Sequence, residues 1–276
     1  MGLIAGRGLY PRIVARLARA RGWRVVAVGF HSETDPALAD EVDRFESIHL
    51  GELQKLVDVL RDGGVRDAVM AGKVLKTHLY DDPAALHPDA RAIGVLAALR
   101  DRKDDSILGA VVDEIASEGI AFPPQTELLP ELFGTAGLLG ETAPDAAAWA
   151  DVRFGWPAAK TIGGLDIGQS VVVKERAVIA VEAIEGTDAA IRRAGELAGP
   201  GCCLVKVAKP SQDPRFDLPT IGVETIKTLR EARASTFAFE AGRTVVLEPA
   251  ELAAAADADG IAVVGIGPDG PGEGPP

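Results

Sequence analysis

The chain opens with a short apolar run, Gly2 to Ala5. Gly6-Arg7-Gly8 follows at once, and then apolar positions at Ile13, Val14, Leu17 and Ala18. A run, a glycine turn and a period of 3.6 residues predict strand, turn and helix. Pro11 suits the first turn of that helix, where its missing N–H is harmless, and Gly22 closes it. The alternation continues. Residues 24–30 form a second continuous apolar run, as a parallel strand covered on both faces requires. A helix is predicted over 52–62, stopped by Gly63-Gly64. A third strand is predicted over 67–71, helices over 90–100 and 106–117, and a short strand over 119–122. Strands alternating with helices across short loops predict a parallel sheet.

The texture changes between about 123 and 160, where "PPQTELLPELFGTAGLLGETAP" is rich in Pro, Gly and Thr. A linker is placed here. Beyond it, two β-runs flank Lys174-Glu175-Arg176 as a hairpin. A helix follows over 188–197, a strand over 204–207, a helix over 223–234, and then strand, helix and strand within "TVVLEPAELAAAADADGIAVVGI". The fold class expected is α/β. A parallel α/β N-terminal domain spans 1–130, a linker 131–160, and a distinct mixed α/β C-terminal domain 161–266. The tail 267–276, "GPDGPGEGPP", cannot bury a core and is expected to be disordered.

Composition narrows the function classes. At 276 residues there is room for two domains and a sizeable core. The 5% aromatic content suits tightly packed α/β layers better than a β-sandwich. A net charge of −12 argues against general nucleic-acid binding, which needs a positive face, but allows a local basic pocket. Cys202 and Cys203 are the two cysteines, and adjacent strand residues face opposite ways, so no disulfide is expected. That fits a reducing compartment. Neither a signal segment nor a membrane-length apolar stretch is found, and the chain reads as cytoplasmic.

The first turn has the form of an anion cradle, with N–H groups and a helix start at one spot. It is a poor dinucleotide fingerprint: Pro11 replaces the third glycine, and the second strand ends without an acid, Glu33 coming later. Arg7 could add donors. Gly72-Lys73 ends the third strand, which brings Lys73 near the Gly6–Gly8 turn if the strands are neighbours. In the second half, "GGLDIGQ" sets Asp166 and Gln169 about a glycine turn. "EAIEGTD" ends a strand with Glu182, Glu185, Gly186, Thr187 and Asp188, and Thr187 or Asp188 could cap the next helix. "KVAKPSQD" places Lys206 and Lys209 beside Gln212, and "RFDLPTIG" sets Asp217 in a loop ahead of Thr220. Carboxylates near lysines and glycine turns suit metal-assisted phosphoryl chemistry. Mg²⁺ takes one or two carboxylates plus substrate oxygens, and lysines balance developing charge. The four histidines, His31, His49, His78 and His87, all fall in the first domain, which speaks against a histidine-rich dinuclear site; no G-x-S-x-G supports a serine hydrolase.

"LIAGRGLYP", "AGKV" (71–74), "KDDSIL" (103–108), "LDIGQ" (165–169), "EAIEGTDA" (182–189), "KPSQD" (209–213) and "FDLPTIG" (216–222), in this order, resemble the LpxI-type UDP-2,3-diacylglucosamine pyrophosphatases. The resemblance implies Mg²⁺-dependent hydrolysis of UDP-2,3-diacylglucosamine to 2,3-diacylglucosamine 1-phosphate (lipid X) and UMP in lipid A biosynthesis, with water attacking the phosphorus on the sugar side. It implies a Rossmann-like first domain, a distinct second domain, a lipid held between them and a homodimer. The essential aspartate corresponds to Asp217, as base or Mg²⁺ ligand. The glycine loop corresponds to Gly6, Arg7, Gly8 and Leu9, with Arg7 where many members carry glycine. Beside these, Glu185 and Asp188 are candidate metal ligands, Lys73, Lys206 and Lys209 candidate diphosphate contacts, and Gly72, Gln169, Gly186, Thr187, Gln212 and Thr220 candidate positioning groups. A lipid substrate implies transient contact with the inner-membrane surface, and Leu138 and Leu139 in the linker are expected to meet acyl chains. Two rivals stand beside this reading. One is a non-catalytic nucleotide-sugar-binding regulator, which would not need Asp217 in its full setting. The other is an NAD(P)-dependent oxidoreductase, against which the defective fingerprint counts.

Overall fold

A computed structural model describes residues 1–74, 86–99 and 104–272. His78, Arg100 and Lys103, each used in the sequence reading, lie outside the described residues. The chain divides into two compact units. One comprises Met1–Leu129 with Asp213–Asp217, the other Pro130–Gln212 with Leu218–Pro276.

The first unit is built on four parallel strands, β1 (Gly2–Ala5), β2 (Val26–Phe30), β3 (Arg44–Ile48) and β4 (Ala68–Ala71), in the order β3-β2-β1-β4. Helices α1 (Tyr10–Ala20) and α2 (Leu53–Asp62) follow β1 and β3; α3 (Ala90–Ala98), α4 (Asp104–Ala116) and the one-turn α5 (Gln125–Leu128) come after β4. Every residue of β1 and β2 is buried, as their unbroken apolar runs require. β3 escapes the sequence pattern because it is an edge strand: its "RFESI" is half-buried except at Ile48, so no continuous apolar run was needed. The short strand expected over 119–122 is a single bridge, Ala121 to Asp67, with Ile120 and Phe122 buried on either side. The core joins Val26 and Val28 to Leu56, Val57 and Leu60 of α2 and to Val112 and Ile115 of α4. Phe216 completes it from the distant 213–217 segment.

The second unit carries a six-stranded mixed sheet. Its strands are β5 (Gly137–Leu139), β6 (Ser170–Lys174), β7 (Ala177–Val181), β8 (Cys203–Lys206), β10 (Thr236–Glu240) and β12 (Ala262–Ile266), in the order β5-β12-β10-β8-β6-β7. β8, β10 and β12 run parallel, while β5, β6 and β7 are antiparallel to their neighbours. A separate two-stranded ladder pairs β9 (Thr220–Ile221) with β11 (Val245–Val246). Alternation along the strands feeds two cores. Leu204, Phe237 and Val263 meet helices α7 (Thr187–Ala198), α8 (Val223–Glu231) and α9 (Pro249–Ala258). Cys203, Val205 and Val264 meet helix α6 (Ala146–Gly164) on the other face. Cys202 and Cys203 are both free, and they belong to opposite cores, as their adjacency on a strand demands.

Further elements differ from the sequence reading. A 19-residue helix over 146–164 begins inside the stretch expected to be linker. Pro157 and three glycines disguise it. The Asp145 carboxylate caps it by accepting the Ala148 N–H at 2.8 Å, and Trp149, Val152, Trp156 and Ala159 bury one face. Gly155 is there for contact: a Cβ would stand 2.8 Å from Val173 Cγ2. β10 was missed because its ends are Thr236 and Glu240, yet both are buried. In the tail, 267–270 forms a turn, with the Gly270 N–H on the Gly267 carbonyl, and Arg153 donates to the Gly272 carbonyl at 3.2 Å.

Candidate active site

In the first unit the β1–α1 turn and the end of β4 are stitched together. The Gly6 N–H donates to the Ala71 carbonyl at 2.8 Å, and the Arg7 and Lys73 main chains pair in both directions at 2.7 and 3.1 Å. The expected neighbourhood of Lys73 and the glycine turn is therefore present. The glycines allow it: a Cβ on Gly6 would sit 2.6 Å from the Lys73 carbonyl oxygen, and one on Gly72 2.7 Å from that of Arg7. Gly8 takes φ +99, open to glycine alone at no strain. With the Gly6 and Arg7 N–H groups engaged by β4, Pro11 having none and the Arg12 N–H donating to the Leu9 carbonyl at 3.1 Å, the cradle narrows to Gly8, Leu9 and Tyr10. The Arg7 side chain is also held, through Nε beside Glu33 at 3.3 Å and Nη2 on the Ser32 carbonyl. A hollow of about 270 Å³ adjoins this turn, lined by Arg7, Gly8, Leu9 and Arg12 and by the 33–35 stretch with the carboxylates of Glu33 and Asp35. That volume suits a phosphate group rather than a whole lipid-linked nucleotide.

Asp217 ends the 213–217 segment. The segment is fixed at Phe216, which is buried in the core, and by Arg215, whose guanidinium grips Asp213 at 2.8 Å. Asp217 itself is exposed and has φ +49, a left-handed conformation that Asp adopts more readily than most residues.

In the second unit the polar residues gather where β8 ends and β6 begins. Ser170 pairs with Lys206 in register, and the Glu182 N–H donates to the Ser170 carbonyl. Lys206 is 5% exposed, and its ammonium donates to Thr187 Oγ1 at 2.8 Å; that hydroxyl donates to Glu182 Oε1 at 2.7 Å. Burial works to raise the Glu182 carboxyl. The Lys206 charge, with the Ser170 and Thr187 hydroxyls, outweighs burial and holds it below the ordinary carboxylate range. Lys209, 9% exposed, has its ammonium 2.7 Å from Asp166 Oδ1. The glycine turn before β6 is tight: a Cβ on Gly168 would fall 2.1 Å from the Glu182 carbonyl oxygen. Gln169 leaves its side-chain oxygen buried without a hydrogen-bond partner. Carboxyl ends of parallel strands are where open α/β sheets collect ligands.

The remaining candidates have local duties. Gly186 precedes α7 with φ +84, and no side chain caps that helix, so Thr187 serves Lys206 and Glu182 instead of the helix end. Glu185 is paired with Arg193 at 2.8 Å, and its carboxyl is lowered chiefly by its own backbone N–H. Asp188 is exposed in the first turn of α7. Gln212 is buried in the turn after Lys209, and the Thr220 hydroxyl donates to the Leu218 carbonyl at 3.0 Å. Leu139 is half-buried and packs on the second core, whereas Leu138 is 43% exposed. Among the described residues no group of three or more His, Cys, Asp or Glu side chains is placed to hold a metal ion. No described helix is long and apolar enough to cross a membrane.

Sequence reasoning missed Glu240, 2% exposed, which accepts Lys160 Nζ at 2.5 Å and the Ala208 N–H at 2.8 Å. It also missed Gln125, buried below the first helix start. Their partners lie 80 and 115 residues away, beyond any local pattern.

Residues 1–132 match the model of the LpxI N-terminal domain and residues 135–264 that of the LpxI C-terminal domain. The chain is also 38% identical to the UDP-2,3-diacylglucosamine pyrophosphatase LpxI of Caulobacter vibrioides, over 97% of this chain and 98% of that protein.

Proposed function

The chain belongs to the LpxI family, and from that premise we propose that it hydrolyses the pyrophosphate bond of UDP-2,3-diacylglucosamine in lipid A biosynthesis, giving 2,3-diacylglucosamine 1-phosphate and UMP. The observation that carries this reading is the pair of buried lysines, Lys206 and Lys209, at the carboxyl end of β8. Withdrawing ammonium groups from water is costly unless they meet opposite charge. Lys206 lies beside Glu182 and Lys209 beside Asp166, and two buried ammonium groups at one strand end suit the negative charge of a diphosphate.

In this reading water attacks the phosphorus on the sugar side, forms the new P–O bond there, and the bridging oxygen departs with UMP. Asp217 is the acid on which turnover depends, either taking the proton of the attacking water or holding Mg²⁺. Lys206 and Lys209 neutralise the diphosphate, Thr187 orients Lys206, and the orphaned Gln169 oxygen accepts a substrate hydroxyl. Mg²⁺, when bound, would offset charge on the diphosphate oxygens. Asp217 fits such an ion as one carboxylate sharing it with substrate oxygens, the mode Mg²⁺ commonly takes. Glu185 and Asp188 are weaker ligands, the first being occupied by Arg193. A two-chain lipid substrate brings the enzyme to a membrane surface, and the homodimer remains part of the same proposal.

Product analysis tests it. The protein is incubated with UDP-2,3-diacylglucosamine in H₂¹⁸O, with Mg²⁺ or EDTA, and the products are read by mass spectrometry. Label in the diacylglucosamine phosphate, with Mg²⁺ only, is expected. Label in UMP overturns the direction of attack, and no turnover leaves the binding regulator.

A further inference from the structure

Gln125 is 1% exposed, and its amide is fully engaged. Its side-chain oxygen accepts the Tyr10 hydroxyl. Its side-chain nitrogen donates to the Met70 carbonyl at 2.9 Å and to the Arg215 carbonyl at 3.0 Å. Its main-chain N–H donates to the Pro214 carbonyl at 3.0 Å. These partners sit in three separate segments. Tyr10 is the first residue of α1, directly after the Gly6–Leu9 turn. Met70 lies in β4, just ahead of Gly72-Lys73. Pro214 and Arg215 lie just ahead of Asp217.

Only a planar group with one acceptor and two donors satisfies this arrangement. A glutamate would turn lone pairs toward two carbonyls, and an apolar side chain would leave a buried phenol and two carbonyls unpaired. We propose that Gln125 is a positioning residue for the hydrolysis: it fixes the loop that bears Asp217 against β4 and against the start of α1, so that Asp217, Lys73 and the glycine turn keep one spacing. The inference rests on the assignment of turnover to Asp217.

The test is a cycle on the full-length chain, reading kcat, KM and the melting temperature. Its variants are Gln125→Met, which is nearly isosteric, Tyr10→Phe, Asp217→Asn and the corresponding double variants. Small misplacements of reacting groups cost about 10²-fold. Gln125→Met is expected to lower kcat on that order with KM changed less than about threefold. In the Asp217→Asn background the same change should leave the residual rate within about threefold, because the group it positions is already gone. Tyr10→Phe should act in the same direction and more weakly, and it provides the same cycle if Gln125→Met does not fold. Equal losses in both backgrounds would mean a structural role and overturn the proposal. So would a normal kcat in Gln125→Met or Tyr10→Phe while Asp217→Asn is impaired. Near-normal turnover of Asp217→Asn instead refutes the assignment of Asp217, and with it this inference.

Discussion

Lys206 and Glu182 are joined through one hydroxyl: Thr187 Oγ1 accepts from the lysine at 2.8 Å and donates to the glutamate at 2.7 Å. Replacing that hydroxyl by a methyl group keeps the volume and breaks both bonds. Thr187→Val should destabilise the protein by about 1–3 kcal/mol, the usual cost of losing two buried hydrogen bonds to charged groups. Urea unfolding measures it, and a change below about 0.5 kcal/mol would contradict the relay.

Glu182 gives the relay a pH signature. Its carboxyl is held below the ordinary range in the folded state, so the stability it contributes is present above the unfolded value near 4.5 and is lost as pH falls through the lower, folded value. The stability difference between wild type and Glu182→Gln should therefore be largest at neutral pH and shrink below about pH 4.5. A difference that grows on acidification would mean that the burial cost, not Lys206, dominates.

Two glycines should respond oppositely to alanine. A Cβ on Gly6 would meet the Lys73 carbonyl at 2.6 Å, so Gly6→Ala should cost about 1–3 kcal/mol. Gly94, inside α3, has no atom of the described residues beyond its own helix backbone within 4 Å of an added Cβ, and Gly94→Ala should gain up to about 1 kcal/mol. Thermal unfolding of both variants decides the point.

Asp217→Asn should keep the fold, because asparagine is close in size and tolerates a φ of +49. Turnover should fall about 10²–10⁴-fold, the range of a lost acid–base group. Near-normal turnover would remove Asp217 from the chemistry.

Leu138→Asp should raise KM for the diacylated substrate without lowering stability, since Leu138 is 43% exposed. An unchanged KM disposes of the acyl-contact reading at this residue.

The sequence was most legible where one residue type serves one purpose. "GLIA" could only be a covered strand, and the glycine turn after it could only be tight. "RFESI" was illegible because an edge strand needs half its apolar residues, and "TFAFE" because its polar ends are satisfied across the fold, Glu240 by Lys160. Helix α6 hid behind Pro157, whose cost is outweighed by two buried tryptophans. Lys206, Lys209 and Thr187 stood out as polar residues at strand ends. The pairing of Thr187 did not, since capping and relay look alike in sequence. Glu182 was read as a strand-end acid, and only its neighbours give it a state of charge.

Phe216 belongs to the core of the first unit although the chain delivers it from within the second half. A gene divided near codon 130 would separate that core from one of its own side chains, and would oblige the other product to carry a bare phenylalanine. The two halves are thus heritable only as a pair. In chimeras between relatives, the parent that supplies the pocket around Phe216 must also supply the 213–217 segment that carries this side chain into it.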